Sequence, residues 1–352
     1  MNDRPLLSIC IPTYNRARVL EGALRVLIPQ VAAAGGAVEL VVSDNCSSDE
    51  TPEVVSRAQA LGAVRFHRNE QNVGAAANIS RLCDELARGE FAWLLGDDDL
   101  VLPGGVERVL SVLRGSPEVD YVFVNCSHKL PSEREFYERI ESAQEISELV
   151  PAKSKDLSDH HVGRWEELID PDVDDVFLGA MMCSVFRLSR WRGYALGLGE
   201  RWDAFDSLER SYPHTVVLAH TMMGRRAYYI GHPCTVHFWG GQEWIGYVPL
   251  LVLVRLQDLL ELYLSLGVER ERVERCRLSL LNNSGDALRI MLKTPGAPGR
   301  KFFSLPKFVW RNRHHARRAA RVLWDAVGAQ ALPVPLYRLL RATKRFAKAI
   351  RL

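Results

Sequence analysis

The first hundred residues alternate short apolar runs with amphipathic stretches. Leu6-Leu7-Ser8-Ile9-Cys10-Ile11 is an apolar run ended by Pro12-Thr13-Tyr14-Asn15, which predicts a strand and its terminating turn. Residues 17–31 repeat Leu20, Leu24 and Leu27 at helical spacing. Glu39-Leu40-Val41-Val42-Ser43 reads as a second strand, closed by the turn-rich Asp44-Asn45-Cys46-Ser47-Ser48-Asp49. Thr51-Pro52-Glu53 opens a helix, with Thr51 expected at the N-cap and Pro52 in the first position. Residues 64–67 read as a third strand, 75–86 as a helix, and 91–95 as a fourth strand running into Gly96-Asp97-Asp98-Asp99. Strand and helix alternate four times, the pattern of a parallel sheet wrapped by helices. In such sheets ligands bind outside the carboxyl ends of the strands, and each polar cluster named here falls at such an end.

Beyond a strand at 121–124 the pattern weakens. Residues 131–175 are acid-rich and poorly periodic, as expected of an insertion or a helical excursion. Strand-like runs return at 178–186 and 226–230, and strong helical patterns cover 248–266 and 269–292. No internal repeat or low-complexity tract interrupts them.

Composition narrows the class. With 352 residues, 47% hydrophobic and 25% charged, the chain has material for a substantial core and is neither fibrous nor wholly disordered. No apolar run approaches the roughly 20 residues that span a bilayer, and the start shows no basic segment leading into an apolar signal core. Seven scattered cysteines, never spaced C-x-x-C, predict a reducing, cytoplasmic setting without a disulfide framework. The net charge of +2 hides an asymmetry: residues 300–352 hold 14 Lys and Arg against one acid, Asp325, while the first 299 hold 31 basic and 42 acidic residues. Leu336, Leu339, Leu340, Phe346 and Ile350 recur at helical spacing among Arg338, Arg341, Lys344, Arg345, Lys348 and Arg351. That predicts a basic amphipathic helix suited to an anionic membrane surface. A helix packed on its own domain, or one facing nucleic acid, are the competing readings, with nucleic acid the weakest.

Three consecutive carboxylates after a buried strand repel one another, and a divalent cation relieves that repulsion. Hard oxygen ligands favour Mg2+ or Mn2+, which also bind substrate phosphates. The plain alternative is an acidic helix start or a solvated loop. Neighbouring motifs weigh on that choice. Leu7-Ser8-Ile9-Cys10-Ile11-Pro12-Thr13-Tyr14-Asn15-Arg16 resembles the opening strand of the family 2 glycosyltransferases, and residues 39–49 resemble their nucleotide-contacting second strand and turn. Asn72-Val73-Gly74-Ala75-Ala76-Ala77-Asn78, followed by Ala87-Arg88-Gly89-Glu90-Phe91, is similar to the stretch before their Asp-x-Asp metal motif. The four motifs stand in family order over about the first 105 residues. The pattern also looks like the branch containing abequosyltransferases and other O-antigen side-branch enzymes of lipopolysaccharide biosynthesis. The resemblance implies a GT-A fold: a Rossmann-like, mostly parallel sheet flanked by helices, here with a C-terminal helical basic extension. It also implies a nucleoside-diphosphate-sugar donor, Mn2+ or Mg2+, and inversion at the anomeric carbon. One position departs from the family: Gly96 takes the place of the first Asp, leaving Asp98 as the expected metal ligand with Asp97 or Asp99 supplying the missing carboxylate.

Residue roles follow from resemblance and chemistry together. Pro12, Thr13 and Asn15 are expected to frame the base and ribose, Asp44 to accept hydrogen bonds from the base, and Asn72 or Arg68 to reach ribose or phosphates, with Asp97 beside them. Turn formation by Pro12 and Asn72 and an Asx-turn at Asp44 are the structural alternatives. An inverting transferase needs a general base for the acceptor hydroxyl. The family's Glu-Asp pair is absent; Ser211-Tyr212-Pro213-His214 stands in its approximate place, so His214 is the first candidate, then Asp206 and Asp203. A late histidine, His237 or His232, is expected to complete the metal shell, and Trp239 and Trp244 to stack on the acceptor. The expected division is 1–125 for the donor, 126–245 for the acceptor, 246–299 helical and 300–352 the basic tail. The whole reads as a non-processive transferase at the inner face of the membrane, acting on a lipid-linked or surface glycan. A catalytically silent sugar-nucleotide-binding protein and a nucleotidyltransferase are the alternatives; the latter lacks its Gly-rich phosphate loop here.

Overall fold

A computed structural model of the chain describes residues 4–62, 64–129, 153–199, 203, 205–238 and 243–328. It divides into two compact units, one of Met1–Ile245 with Asp258–Cys276, the other of Gly246–Gln257 with Arg277–Leu352.

The first unit is built on a nine-stranded mixed sheet. Its strands are β1 (Leu7–Thr13), β2 (Val38–Asp44), β3 (Val64–Arg68), β4 (Phe91–Leu94), β5 (Asp99–Val101), β6 (Tyr121–Lys129), β7 (His160–Val162), β8 (Ser184–Arg187) and β9 (Ala227–Phe238). They lie in the order β3-β2-β1-β4-β8-β6-β9-β5, with β7 on β9. The first four strands are mutually parallel, as the alternation predicts. Their connections are the helices α1 (Ala17–Ala34), α2 (Thr51–Leu61) and α3 (Ala75–Arg81), and α4 (Gly105–Gly115) follows β5. Strand β8 then runs antiparallel between β4 and β6, and β9 is parallel to β6 but antiparallel to β5. Strands β1 and β2 are covered on both faces, so they read as unbroken apolar runs. Helix α1 covers one face, setting Ala23 against Leu100 of β5 and Val236 of β9.

The amino end of the parallel strands is closed by a buried carboxylate. Glu39 accepts from the Ser8 hydroxyl at 2.5 Å, from Arg88 N–H at 2.5 Å and from Arg65 Nη1 at 2.8 Å. Ser8 Oγ in turn accepts from Gly89 N–H at 2.7 Å. One acid thereby ties β1, β2, β3 and the approach to β4 together, and the polar turns gather at the opposite, carboxyl end.

Three expectations are corrected. Thr51 does not cap α2: it is the first helical residue, and both its N–H and hydroxyl donate to Asp49 Oδ1. The other Asp49 oxygen takes the Ala17 N–H at the start of α1, so one carboxylate serves two helix starts. The apolar run 178–186 is strand only from Ser184. Buried Asp174 captures the N–H groups of Val176, Leu178 and Ala180, winding the segment into turns with Phe177 and Leu178 at positive φ. The long run at 269–292 is two helices, Arg270–Asn283 and Gly285–Lys293, parted at Ser284.

In the second unit, Arg277 Nη1 donates to Gln257 Oε1 at 2.6 Å and the Arg255 guanidinium lies over Phe302. The helix Leu305–Arg311 is capped by Ser304, whose hydroxyl accepts from Lys307 N–H. The helix Ala316–Gly328 buries Ala319, Val322 and Ala326 and exposes Arg317, Arg321 and Trp324, the last at 76%. The basic amphipathic helix expected at 336–351 lies outside the described residues. No helix among the described residues is long and apolar enough to cross a membrane.

Candidate functional site

Strands β1 and β2 end in matched turns. Residues two beyond each strand, Asn15 (φ 52) and Cys46 (φ 68), adopt left-handed backbone. Asparagine tolerates that region; cysteine holds it at a cost of about 1 kcal/mol, typical of residues pinned at a site. The turns are stitched together: Asn45 N–H donates to Thr13 O, Asn15 N–H to Ser47 Oγ, and Ser48 N–H to Asn15 Oδ1.

Asp44, the last residue of β2, is fully buried. Its Oδ1 accepts from the Ser47 N–H at 3.0 Å and from the Ser47 hydroxyl, three residues on rather than the two of an Asx-turn. Its Oδ2 has an ion pair with Arg68 Nε at 3.4 Å and no hydrogen bond. A buried acceptor lacking a donor is costly in a folded chain, and such an atom is poised to receive one from a ligand. Arg68 is half-exposed and also donates to Ser47 O at 2.7 Å. Asn72 is exposed and accepts from Asn45 Nδ2 and Gly74 N–H, so it shapes the turn ahead of α3. A set of asparagines supports it: Asn69 Nδ2 donates to both Asn45 and Asn78 side chains, and Asn78 Nδ2 to Ser43 O.

The acidic triplet follows β4, and its three carboxylates are separately held. Asp97 accepts from the Thr13 hydroxyl at 2.8 Å and lies 2.9 Å from Arg16 Nε. Asp98 accepts from Arg16 Nη2 at 2.7 Å. Asp99 opens β5 opposite His237 of β9, which puts the His237 Nδ1 2.8 Å from Asp99 Oδ1, while Asp99 Oδ2 takes the Gly96 N–H at 2.6 Å. All three acids are nearly buried. Burial raises Asp97 to about 7, against the opposing pull of Arg16 and with the help of neighbouring Asp98. Burial likewise raises Asp99, with His237 opposing. Burial alone would depress His237, but the Asp99 carboxylate outweighs it and holds the imidazole above its ordinary range.

Gly96, the departure from the family pattern, has a steric reason. A Cβ there would lie 2.9 Å from both Asp98 Oδ1 and Asp99 Oδ2. Without it the carboxylates fold back over the turn and Asp99 closes on the Gly96 N–H. Ligand atoms of Asp98, Asp99 and His237 all lie within 4.8 Å of one another and could hold a metal ion. The two carboxylates suit Mn2+ or Mg2+, and the imidazole favours the transition-metal ion of the two, so the donor set fits Mn2+ better than Mg2+.

The structure thus brings Thr13, Asp97, Asp98, Asp99 and His237 together, and Pro12, Asn15, Asp44, Arg68 and Asn72 fall on the neighbouring turns. His232 lies in β9 five residues before His237, next to the turn-prone Pro233, and is not in the cluster. Arg16 was not singled out as a site residue, although it directly follows the Pro12–Asn15 turn; Asn45, Asn69 and Asn78 gave no periodic signal. On the acceptor side, His214 stands in the first turn of the helix Pro213–Met222 with both ring nitrogens buried and lacking hydrogen bonds. Burial depresses it to about 4 despite the opposing Gly179 backbone. Asp206 pairs with Arg210 at 3.3 Å and accepts from Asp203 N–H at 3.1 Å. Trp244 is half-buried in a turn at Glu243–Tyr247, and Trp239 lies outside the described residues.

Residues 8–163 match the model of the family described as Glycosyl transferase family 2. The chain is 26% identical over 240 residues to the abequosyltransferase RfbV of Salmonella typhimurium, covering 66% of each chain. It is 35% identical over 106 residues to an uncharacterized protein of Mycobacterium tuberculosis, 30% of this chain and 32% of that one. A GalNAc(5)-diNAcBac-PP-undecaprenol beta-1,3-glucosyltransferase of Campylobacter jejuni is 32% identical over 124 residues, 35% of this chain and 38% of that one. The chain therefore spans from about a third to two thirds of the length of these relatives. Among solved structures it is similar to a mannosyltransferase from Pyrobaculum calidifontis, 18% identical, covering 93% of this chain and 87% of that one with a TM-score of 0.49. With its motifs gathered at the carboxyl ends of β1, β2 and β4, the stretch 8–163 is a glycosyl transferase family 2 domain.

Proposed function

We propose that the chain is a metal-dependent, inverting, non-processive glycosyltransferase that moves one sugar from a nucleoside-diphosphate-sugar to a hydroxyl of a glycan acceptor. The observation that carries the reading is the Asp98–Asp99–His237 cluster beside Thr13 and Asp97, with all but His237 inside the stretch that matches family 2. Asp44 Oδ2, buried and without a hydrogen-bond donor, receives an N–H of the base. Pro12, Thr13 and Asn15 frame the nucleoside, and Arg68 and Asn72 face ribose or phosphate. Asp98, Asp99 and His237 hold the cation, and Asp99 also orients the His237 ring through Nδ1, as carboxylates commonly do for metal-binding histidines. A bound Mn2+ or Mg2+ supplies charge neutralisation for the departing diphosphate.

His214 is the favoured general base. A depressed pKa leaves its ring neutral at pH 7 with a basic ring nitrogen, whereas Asp206 is committed to Arg210 and the Asp203 N–H. Asp203 is the third candidate. Trp239 and Trp244 contribute an acceptor platform. The proposed division keeps 1–125 for the donor, 126–245 for the acceptor, 246–299 as helical and 300–352 as the basic tail.

A lipid-linked or surface glycan, in O-antigen or similar polysaccharide assembly, is the proposed acceptor. The names of the Salmonella and Campylobacter relatives support that class. Peripheral attachment at the inner face of the membrane is supported by the basic excess after residue 299 and by exposed Trp310 and Trp324 among arginines.

The test is thermal stability of wild type and Asp98→Ala against UDP-, CDP-, GDP- and dTDP-sugars, with Mn2+ or with EDTA. A ligand that binds the native state raises its midpoint. One nucleotide class should raise it only with Mn2+ and only with Asp98 present. No shift with any donor counts against the donor site. Binding without transfer, unchanged by His214→Asn or Asp206→Asn, would favour a silent sugar-nucleotide-binding protein.

A further inference from the structure

Arg16 occupies a position that its own helix disfavours. It is the N-cap residue of α1, where the helix end carries partial positive charge and a cation is unwelcome. The first helical N–H, on Ala17, is already satisfied by Asp49, so the arginine contributes no cap there. Its side chain is only 15% exposed and spans the acidic triplet instead, with Nε 2.9 Å from Asp97 Oδ1 and Nη2 2.7 Å from Asp98 Oδ2. Asp99 has its own partner in His237, on the other strand. The guanidinium is therefore the cation that Asp97 and Asp98 share, and one of them is the proposed metal ligand. A planar fork suits two carboxylates at once, and it equally suits the oxygens of a diphosphate.

We propose that Arg16 is an internal counter-cation of the donor site. It holds Asp98 while no metal is bound, then releases Asp98 to the divalent cation and turns to the phosphate oxygens of the nucleoside diphosphate. The inference rests on the donor-site reading above and adds an order to it. A metal ion arriving alone must displace the guanidinium from Asp98 and brings no new anion to take that carboxylate's place beside Asp97. A metal arriving with nucleotide gives the guanidinium a new anionic partner. Metal and nucleotide therefore bind cooperatively, and the coupling passes through Arg16.

The experiment is a titration of Mn2+, with free ion followed by electron paramagnetic resonance, on wild type, Arg16→Met, Arg16→Lys and Asp98→Ala. Each is measured alone and with whichever of UDP, CDP, GDP or dTDP binds the wild type. Arg16→Met should bind Mn2+ alone about tenfold more tightly than wild type, and nucleotide should add less to its Mn2+ affinity than to the wild type's. Arg16→Lys keeps the charge but cannot span both carboxylates, so it should fall between the two and carry the test if Arg16→Met folds poorly. In EDTA, Arg16→Met should melt below wild type, and Mn2+ should raise its midpoint further. Mn2+ binding that depends on Asp98 but is the same with or without Arg16 overturns the counter-cation role and leaves the proposed function standing. No Asp98-dependent Mn2+ binding in any form overturns both.

Discussion

His214, Gly96 and Asp44 each carry a prediction of their own. Folded His214 has a pKa of about 4, below the value near 6.5 of an unfolded chain, so the unfolded state takes up the proton first. Its contribution is complete above pH 6.5 and is lost as pH falls toward 4, by about 3 kcal/mol. Urea denaturation at pH 7 and pH 4.5 should show a smaller acid loss in His214→Leu than in wild type, and parallel losses would refute the assignment. Gly96→Ala forces a Cβ against the Asp98 and Asp99 oxygens. It should cost about 1–3 kcal/mol by overpacking and weaken Mn2+ binding, which calorimetry can read. Asp44→Asn replaces an acceptor-only group with one that also donates, so the stabilisation by nucleotide should vanish while most of the fold remains. At this scale the sequence was eloquent about residue type and silent about pairing. The motifs pointed to Thr13, Asp44 and Asp98, whereas the link of Asp99 to His237, 138 positions along the chain, exists only because β5 pairs with β9.

Among the elements, the carboxyl end of the sheet is assembled by a few acids that serve two elements each. Asp49 bonds Ala17 N–H at the start of α1 and both donors of Thr51 at the start of α2. Asp49→Ala should cost about 1–2 kcal/mol in chemical denaturation, the range for a lost cap, and an unchanged midpoint would deny it the bridging role. At the amino end, Glu39→Ala leaves the Ser8 hydroxyl and the Arg88 N–H without their acceptor, while Arg65 keeps Leu86 O, and should cost about 1–3 kcal/mol in chemical denaturation. The parallel half was legible because its strands are covered on both faces and their apolar runs stand out between turns. The antiparallel half was less so. Residues 178–183 have the composition of a strand, but the buried Asp174 carboxylate draws their N–H groups into turns, and no local signal announces a partner several residues away.

For the whole molecule, charge segregation is the dominant feature. Residues 300–328 hold eight Lys and Arg with one acid, and the helix Ala316–Gly328 sets Arg317, Arg321 and Trp324 on its exposed side. Tryptophan favours the headgroup level of a bilayer, and each basic residue near an anionic surface contributes about 1 kcal/mol. The full chain should sediment with vesicles containing anionic lipid at low salt and not with neutral ones. Trp324→Ala combined with Arg317→Glu and Arg321→Glu should reduce that binding several-fold. Equal binding to neutral vesicles, or none reduced by these changes, sinks the membrane reading.

The amino-acid sequence by itself determined the alternation of strand and helix through residue 95, the clustering of polar turns at strand ends and the family resemblance, because these rest on local periodicity and contiguous motifs. Tertiary structure alone decided which carboxylate holds which cation. Arg16 lies 82 positions from Asp98, and His237 farther still from Asp99, and burial at the strand ends makes each pairing strong by removing the water that would otherwise screen it.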